Sequence, residues 1–376
     1  MLEASSLIKP QRILMTADTV GGVWTYAVEL ARALAPHGVE VALATMGGPL
    51  TRGHRDQLRS LTNVGVFESA YRLEWMEDPW RDVEEAGDWL LEIERRTHPD
   101  LIHLNGYAHG ALPWLAPMMI VGHSCVLSWW RAVRGGEAPS SWSRYCDAVR
   151  QGLRAARIVA APTRAMLDEL RREYGPLADG RVIANCVDPL LFTRATKQPF
   201  ILSAGRLWDE AKNIAALAEA APRLDWPVCV AGDARHPDGG AAAPAKVRLL
   251  GQLPHQELAS WFAHASIFAL PARYEPFGLA VLEAAHAECA LVLGDIASLR
   301  ELWDGAALFV PPGDADALAA ALQILIADTT QRKALAARAR FRARDFTPER
   351  TAAAYLAAYA DLLGATTQAK EEAACA

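Results

Sequence analysis

The chain has no excess of basic residues: Lys and Arg number 38 against 44 Asp and Glu, a formal charge of -6. That disfavours general nucleic-acid binding, because a phosphate backbone needs a positive field to hold it. No apolar run is long enough to cross a bilayer. The start, Met1-Leu-Glu-Ala-Ser-Ser, has neither the basic residues nor the apolar core of a secretory signal. Peripheral contact with a membrane stays open. Cysteine is sparse, with six in 376 residues (Cys125, Cys146, Cys186, Cys229, Cys289 and Cys375), and none of them has paired metal spacing. The expectation is a cytoplasmic protein with reduced, buried thiols, the inner membrane face being the alternative location. The dinucleotide fingerprint Gly-x-Gly-x-x-Gly is missing, which argues against NAD. No solenoid repeat is present.

What is present is an ordinary globular balance, 52% hydrophobic and 22% charged, in a length that suggests two domains. Short apolar runs alternate with helical periodicity. Arg12 to Thr16 reads as a strand, Asp18-Thr-Val-Gly-Gly22 as a loop, Trp24 to Leu34 as a helix, and Val39 to Ala44 as the next strand. Thr51 to Pro99 is less clear, with helices expected near Arg52 to Leu61 and Trp80 to Arg96. Strands ending at Leu104 and Val121 lead to Asn105-Gly106 and Gly122-His123-Ser124. Groups at such carboxyl ends are site candidates in open α/β sheets, though a histidine there is also explained by local hydrogen bonds. Eight of the twelve tryptophans lie at or before Trp142, and core packing is the plainer account of most. Arg131, Arg134, Arg144, Arg150, Arg154 and Arg157 outnumber nearby acids. They suit an anionic acceptor, an acidic membrane surface or simply a solvated helix face.

A second alternating series begins at Phe200-Ile-Leu-Ser-Ala204. Arg206 and Lys212 flank the loop that follows, where two cations can clamp a diphosphate or pair locally with Asp209 or Glu210. Pro227 to Ala231 and Val247 to Leu250 read as strands, and His236 to Pro244 as a loop rich in Gly, Pro and Ala. The stretch that organises the whole is Arg273-Tyr-Glu-Pro-Phe-Gly-Leu-Ala-Val-Leu-Glu283. It leaves a buried strand, breaks at Pro276 and Gly278, and opens a helix whose first amides suit an anion. Carboxylates stand on either side of the break, at Glu275 and Glu283. Asp314-Ala-Asp316 reads as a helix cap. Helices are expected at about Gln331 to Arg344 and Pro348 to Leu363, with Gly364 to Ala376 frayed.

Glu275-Pro-Phe-Gly-Leu-Ala-Val-Leu-Glu283 resembles the paired-glutamate motif of retaining glycosyltransferases of family 4, with Ala284 also matching. Glycine is usual in that family where Glu288 stands, and proline where Ala290 stands. Gly21-Gly22 resembles the family's N-terminal Gly-Gly loop. Asn185-Cys-Val-Asp188 resembles its Asn-Gly-Val-Asp turn, with Cys186 in place of glycine. Arg206 and Lys212-Asn213 match its arginine–lysine signature.

The resemblance covers nearly the whole chain and implies a GT-B fold, two Rossmann-like doubly wound α/β domains facing a cleft. Residues 1–190 would form an acceptor-side domain and 198–347 a domain for the nucleotide-sugar, with the helix at about 348–363 packing back on the first. The implied activity is metal-independent, retaining transfer of a hexose from a nucleoside-diphosphate sugar to an acceptor hydroxyl on a saccharide, a lipid-linked sugar or a small glycoside. Uridine is the commonest base in the family, with guanosine and adenosine the alternatives, and no tightly bound cofactor is implied. Arg206 and Lys212 would stabilise the diphosphate, Glu275 and His123 would meet the transferred sugar, and Glu283 would bind the ribose. Gly22, Gly205, Gly251, Phe277, Gly278 and Leu279 would complete the donor site. Two rival readings are a nucleotide-sugar-binding protein of the same shape without turnover and a glycoside hydrolase, which needs paired carboxylates but no cationic clamp.

Overall fold

A computed structural model describes residues 9–192, 195–235, 239 and 246–374. Seven strands make the first sheet: β1 (Arg12–Asp18), β2 (Glu40–Met46), β3 (Val64–Glu68), β4 (Leu101–Leu104), β5 (Met118–Val121), β6 (Ile158–Ala161) and β7 (Gly180–Val182). Six make the second: β8 (Gln198–Ala204), β9 (Val228–Ala231), β10 (Arg248–Gly251), β11 (Ala265–Leu270), β12 (Ala290–Gly294) and β13 (Ala307–Val310). Their orders are β3-β2-β1-β4-β5-β6-β7 and β10-β9-β8-β11-β12-β13. Every pairing is parallel.

Parallel sheets bury both faces, so their central strands are apolar at successive positions. Along β1, Leu14 faces one core cluster while Ile13, Met15 and Ala17 face another. On β11, Phe268 and Leu270 point to one side, Ile267 and Ala269 to the other. The winding of each sheet reverses once, between β1 and β4 and between β8 and β11. Loops leaving the carboxyl ends of adjacent strands diverge there and leave a crevice. The two crevices face each other.

Three features differ from the sequence expectation. Strand β3 was not anticipated: it is an edge strand with only intermediate or exposed residues, so it carries no buried run. The last helix, Pro348–Ala374, does not fray after Leu363. Its tail is rich in Ala, Gln, Lys and Glu, good helix formers, and one glycine costs only about 1 kcal/mol. Cys146 is half-buried, whereas Cys125, Cys186, Cys229 and Cys289 are buried and unbridged; Cys375 lies outside the described residues. So does the loop expected at His236 to Pro244, apart from Gly239.

The last helix lies on the first sheet. Tyr355 and Tyr359 are fully buried there, and the Tyr359 hydroxyl meets His103 Nδ1 at 2.8 Å while His103 Nε2 meets Tyr26 at 3.1 Å. Other side chains cross directly between the sheets. Tyr274 enters the first core, where its hydroxyl accepts from the Cys125 amide (3.0 Å). Thr163 Oγ1 donates to the Pro276 carbonyl (2.9 Å). Glu301 accepts from the amides of Arg164 and Ala165, at 2.7 and 2.9 Å, capping a first-domain helix from the second domain.

Candidate active site

A cleft of about 1010 Å³ runs between the sheets, walled by the loops after β1, β4, β5, β8 and β11. On the second-domain side, Gly205 turns the chain out of β8 with φ +159. Asp209 then caps the short turn at Glu210–Lys212, accepting from the Ala211 amide at 3.0 Å. Asn213 takes a left-handed conformation, φ 56, and its amide donates to the carbonyls of Pro271 (2.8 Å) and Pro312 (2.6 Å). This turn aims Lys212 back across the cleft wall to Glu275 Oε2 at 2.6 Å, both side chains being 13% exposed.

Arg206 donates to Asp209 at 2.8 Å, so the local pairing that its sequence neighbours allowed does form, inside the cleft. Burial pulls the guanidinium down, but Asp209, Asp18 and Glu275 together outweigh it and the net shift is upward. Burial likewise pushes Asp209 up, and Arg206 and Lys212 bring it below the usual carboxyl value. A second Asp209 oxygen accepts from Trp129 Nε1 across the domain gap, at 3.0 Å. Arg206 Nη1 makes a long contact with the Val20 carbonyl (3.4 Å), and its Nε is buried with no hydrogen-bond partner.

Gly278, φ +85, caps the helix Leu279–His286, whose first amides have no partner within the helix. Glu283 is 6% exposed one turn further on. Burial raises its carboxyl to about 8, and Glu29 adds to the rise.

The first-domain side closes on these groups. A Cβ on Gly21, φ +129, would lie 2.7 Å from Arg206 Nη1, and one on Gly22 would lie 3.6 Å from Leu279 Cδ1. Gly21 therefore sits where a side chain would collide with the opposite wall, and Gly22 where one would only touch it. Asn105 donates through Nδ2 to the Thr16 carbonyl at 2.6 Å, leaving its oxygen toward His123 Nε2 at 2.9 Å. The imidazole thus carries its proton on Nε2 and offers Nδ1 as an acceptor. Burial, then His103, lowers His123 to about 3, so it stays neutral.

The structure brings Arg206, Lys212, Glu275, Glu283, His123, Gly22, Gly205, Phe277, Gly278 and Leu279 to this cleft. Phe277 does so mainly as support, its ring meeting Phe346 edge-on at 5.7 Å. Gly251 stands back from the wall, which Gln252 and Leu253 line instead. Asp18 and Glu74 line it too, without having been singled out in the sequence, as do Asn105, expected there only as a strand end, and Asp209, expected only as a local partner. Glu74 accepts from the Tyr107 amide (3.0 Å) and the Ala108 amide (2.6 Å), and burial still raises its carboxyl. Among the described residues no group of three His, Cys, Asp or Glu side chains forms a metal site. Asp314 caps the helix Ala315–Ala327, accepting from the Ala317 amide at 2.8 Å.

Two parallel α/β sheets closing their switch points on one cleft define the GT-B class of glycosyltransferases. Solved structures agree on the fold. Sucrose-phosphate synthase from Thermosynechococcus elongatus superposes with a TM-score of 0.78 at 21% identity, covering 94% of this chain and all of that one (100%). The Anabaena protein HepE, solved in complex with UDP-glucose, gives 0.71 at 17%, covering 95% and 99%. Residues 20–190 match the family model described as Glycosyltransferase Family 4, and residues 198–328 the model Glycosyl transferases group 1. Glycogen synthase of Mycobacterium tuberculosis is 32% identical over 337 residues, 83% of this chain and 75% of its own. A D-inositol 3-phosphate glycosyltransferase of Xylanimonas cellulosilytica is 29% identical over 392 residues, covering 90% and 91%. The chain belongs to the glycosyltransferases of family 4.

Proposed function

We propose that the protein is a retaining hexosyltransferase that needs no metal, using a nucleoside-diphosphate sugar. Residues 198–347 hold the donor, and the domain up to about residue 190 holds most of the acceptor. The observation that carries this reading is the convergence of Arg206, Lys212, Glu275 and Glu283 around one helix N-terminus, with Gly21 and Gly22 against them.

An ammonium has three donors. Glu275 takes one of Lys212's, which leaves two for phosphate oxygens, and the Arg206 guanidinium adds its charge beside them. Charge builds on the diphosphate as the glycosidic bond breaks, so these cations and the amides of Gly278 and Leu279 bind the transition state more tightly than the ground state. The acceptor hydroxyl attacks from the face the diphosphate leaves, and a leaving phosphate oxygen takes its proton. Neutral His123 accepts a hydroxyl of the transferred sugar through Nδ1, and Glu275 takes another. Ionised Glu283 accepts from the ribose. Uridine is the base proposed, in line with the UDP-glucose named for HepE. Five unbridged cysteines among the described residues fit work in the cytoplasm, with peripheral membrane contact as the alternative.

A thermal-shift screen of nucleoside diphosphates and their sugars, followed by transfer assays with and without chelator, tests the proposal. NMR of the product anomer tests retention. Nucleotide binding without turnover on any acceptor, or release of free sugar from a simple glycoside with no nucleotide, would overturn it.

A further inference from the structure

Five tryptophans line the cleft: Trp75, Trp129, Trp130 and Trp142 from the first domain, and Trp208 from the second. Core packing accounts for part of this set, since Trp75, Trp129 and Trp142 lean on the first core. Trp130 and Trp208 join no hydrophobic cluster among the described residues. Trp208 instead lies under the Arg206 guanidinium, 5.1 Å from its ring centroid, and nearly parallel to Trp75 across the domain gap (6.5 Å, 21°). Trp130 continues the aromatic surface through Trp129, at 6.0 Å. Half-buried indoles at a cleft mouth present flat apolar faces, which suit the C–H faces of pyranose rings.

The charges point the same way. Asp18 and Glu74 give the first-domain wall a carboxylic character. The arginines that could offset it are engaged: Arg134 with Glu210 (2.6 Å), Arg131 with Glu173 (3.0 Å), Arg144 with Glu84 (2.6 Å) and Arg150 with Asp147 (2.9 Å). Arg72 and Arg235 stand at the exposed mouth. Along the inner first-domain wall a phosphorylated acceptor would meet Asp18 and Glu74 where it needs cations, whereas a neutral polyol would find acceptors for its hydroxyls.

Resting on the reading of the protein as a glycosyltransferase, we propose that its acceptor is a neutral saccharide whose rings lie against Trp75 and Trp130 along the first-domain wall of the cleft. The test takes the donor identified by thermal shift and measures transfer to maltotriose, cellotriose and mannotriose, and to glucose 6-phosphate and inositol 3-phosphate. A neutral trisaccharide is expected to be the better acceptor. Trp130→Ala and Trp75→Ala are each expected to raise its KM by roughly tenfold, with the donor Kd from calorimetry unchanged and partial rescue by phenylalanine. Preferential transfer to a phosphorylated acceptor, or unchanged KM in folded alanine variants, would overturn the proposal while leaving glycosyl transfer intact. Failure of the wild type to bind any nucleotide-sugar would instead defeat the underlying reading.

Discussion

The two walls of the cleft use charge in opposite ways. The second-domain wall holds its cations beside carboxylates that are near in the chain or in the next loop: Arg206 with Asp209, Lys212 with Glu275. The first-domain wall holds acids that burial pushes toward neutrality, Asp18 and Glu74, and an imidazole that burial keeps uncharged. On the proposed reading, one wall would meet the diphosphate's negative charge and the other the acceptor's hydroxyls. The difference teaches that a two-domain transferase can divide its substrates by electrostatics before any shape is considered.

The sharpest way to break that contrast is to remove a cation. Lys212→Ala is expected to lower kcat by roughly 100-fold or more, the scale for losing one aimed charge-stabilising group; wild-type turnover would take Lys212 out of the mechanism. A first-domain change acting through the second domain comes next. Gly21→Ala puts a methyl where Arg206 Nη1 lies and forces a left-handed φ, strain on the order of 1–3 kcal/mol. Its kcat is expected to fall about tenfold in steady-state assays, with the protein still folded by melting curves.

Glu283 gives a pH test of similar size. Burial raises its carboxyl from 4.5 to about 8, so binding a ribose diol as carboxylate releases a proton near neutrality. Nucleotide affinity should rise with pH up to about 8, and calorimetry in buffers of different ionisation enthalpy should detect the proton. Stability runs the other way. The folded protein holds this proton where the unfolded chain has lost it, so the contribution is full below 4.5 and is lost as pH rises through about 8. Glu283→Gln should therefore gain in melting temperature over the wild type as pH climbs across that window, while binding nucleotide more weakly.

The smallest effect is expected at Glu288, which holds φ 61 where the family usually has glycine. Glu288→Gly relieves about 1 kcal/mol of left-handed strain and should raise the melting temperature by a few degrees. Loss of the 3.4 Å contact to Arg340 subtracts from that gain, which keeps the expected net effect small.

The second wall was legible in the sequence because its parts are contiguous. Arg206 to Asn213 and Glu275 to Glu283 are each a single loop and helix start, so one motif can carry each, although spacing left Arg206 open between a clamp and the Asp209 pair that forms. The first wall is assembled from short pieces, with Asp18, Glu74, Asn105 and His123 contributed by different loops. Asn105 was visible only as a strand end, and nothing local revealed that it fixes the His123 tautomer. Cross-domain bonds such as Trp129 to Asp209, 80 residues apart, leave no local pattern at all. The exposed edge strand β3 escaped because periodicity detects buried faces, and it has none.

The last helix has a consequence for how the chain comes apart. Its tyrosines complete the core around Tyr26 and His103, and Asp361 is bonded to Arg181 at 2.7 Å. The final segment thus belongs in space with the opening one. Severing the polypeptide near residue 194 would not yield two independent halves: the leading fragment would lose the cover of its own sheet, and the trailing one would carry an apolar helix with nothing to lie on. Mixed together, the two fragments should reassociate, each making up what the other lacks.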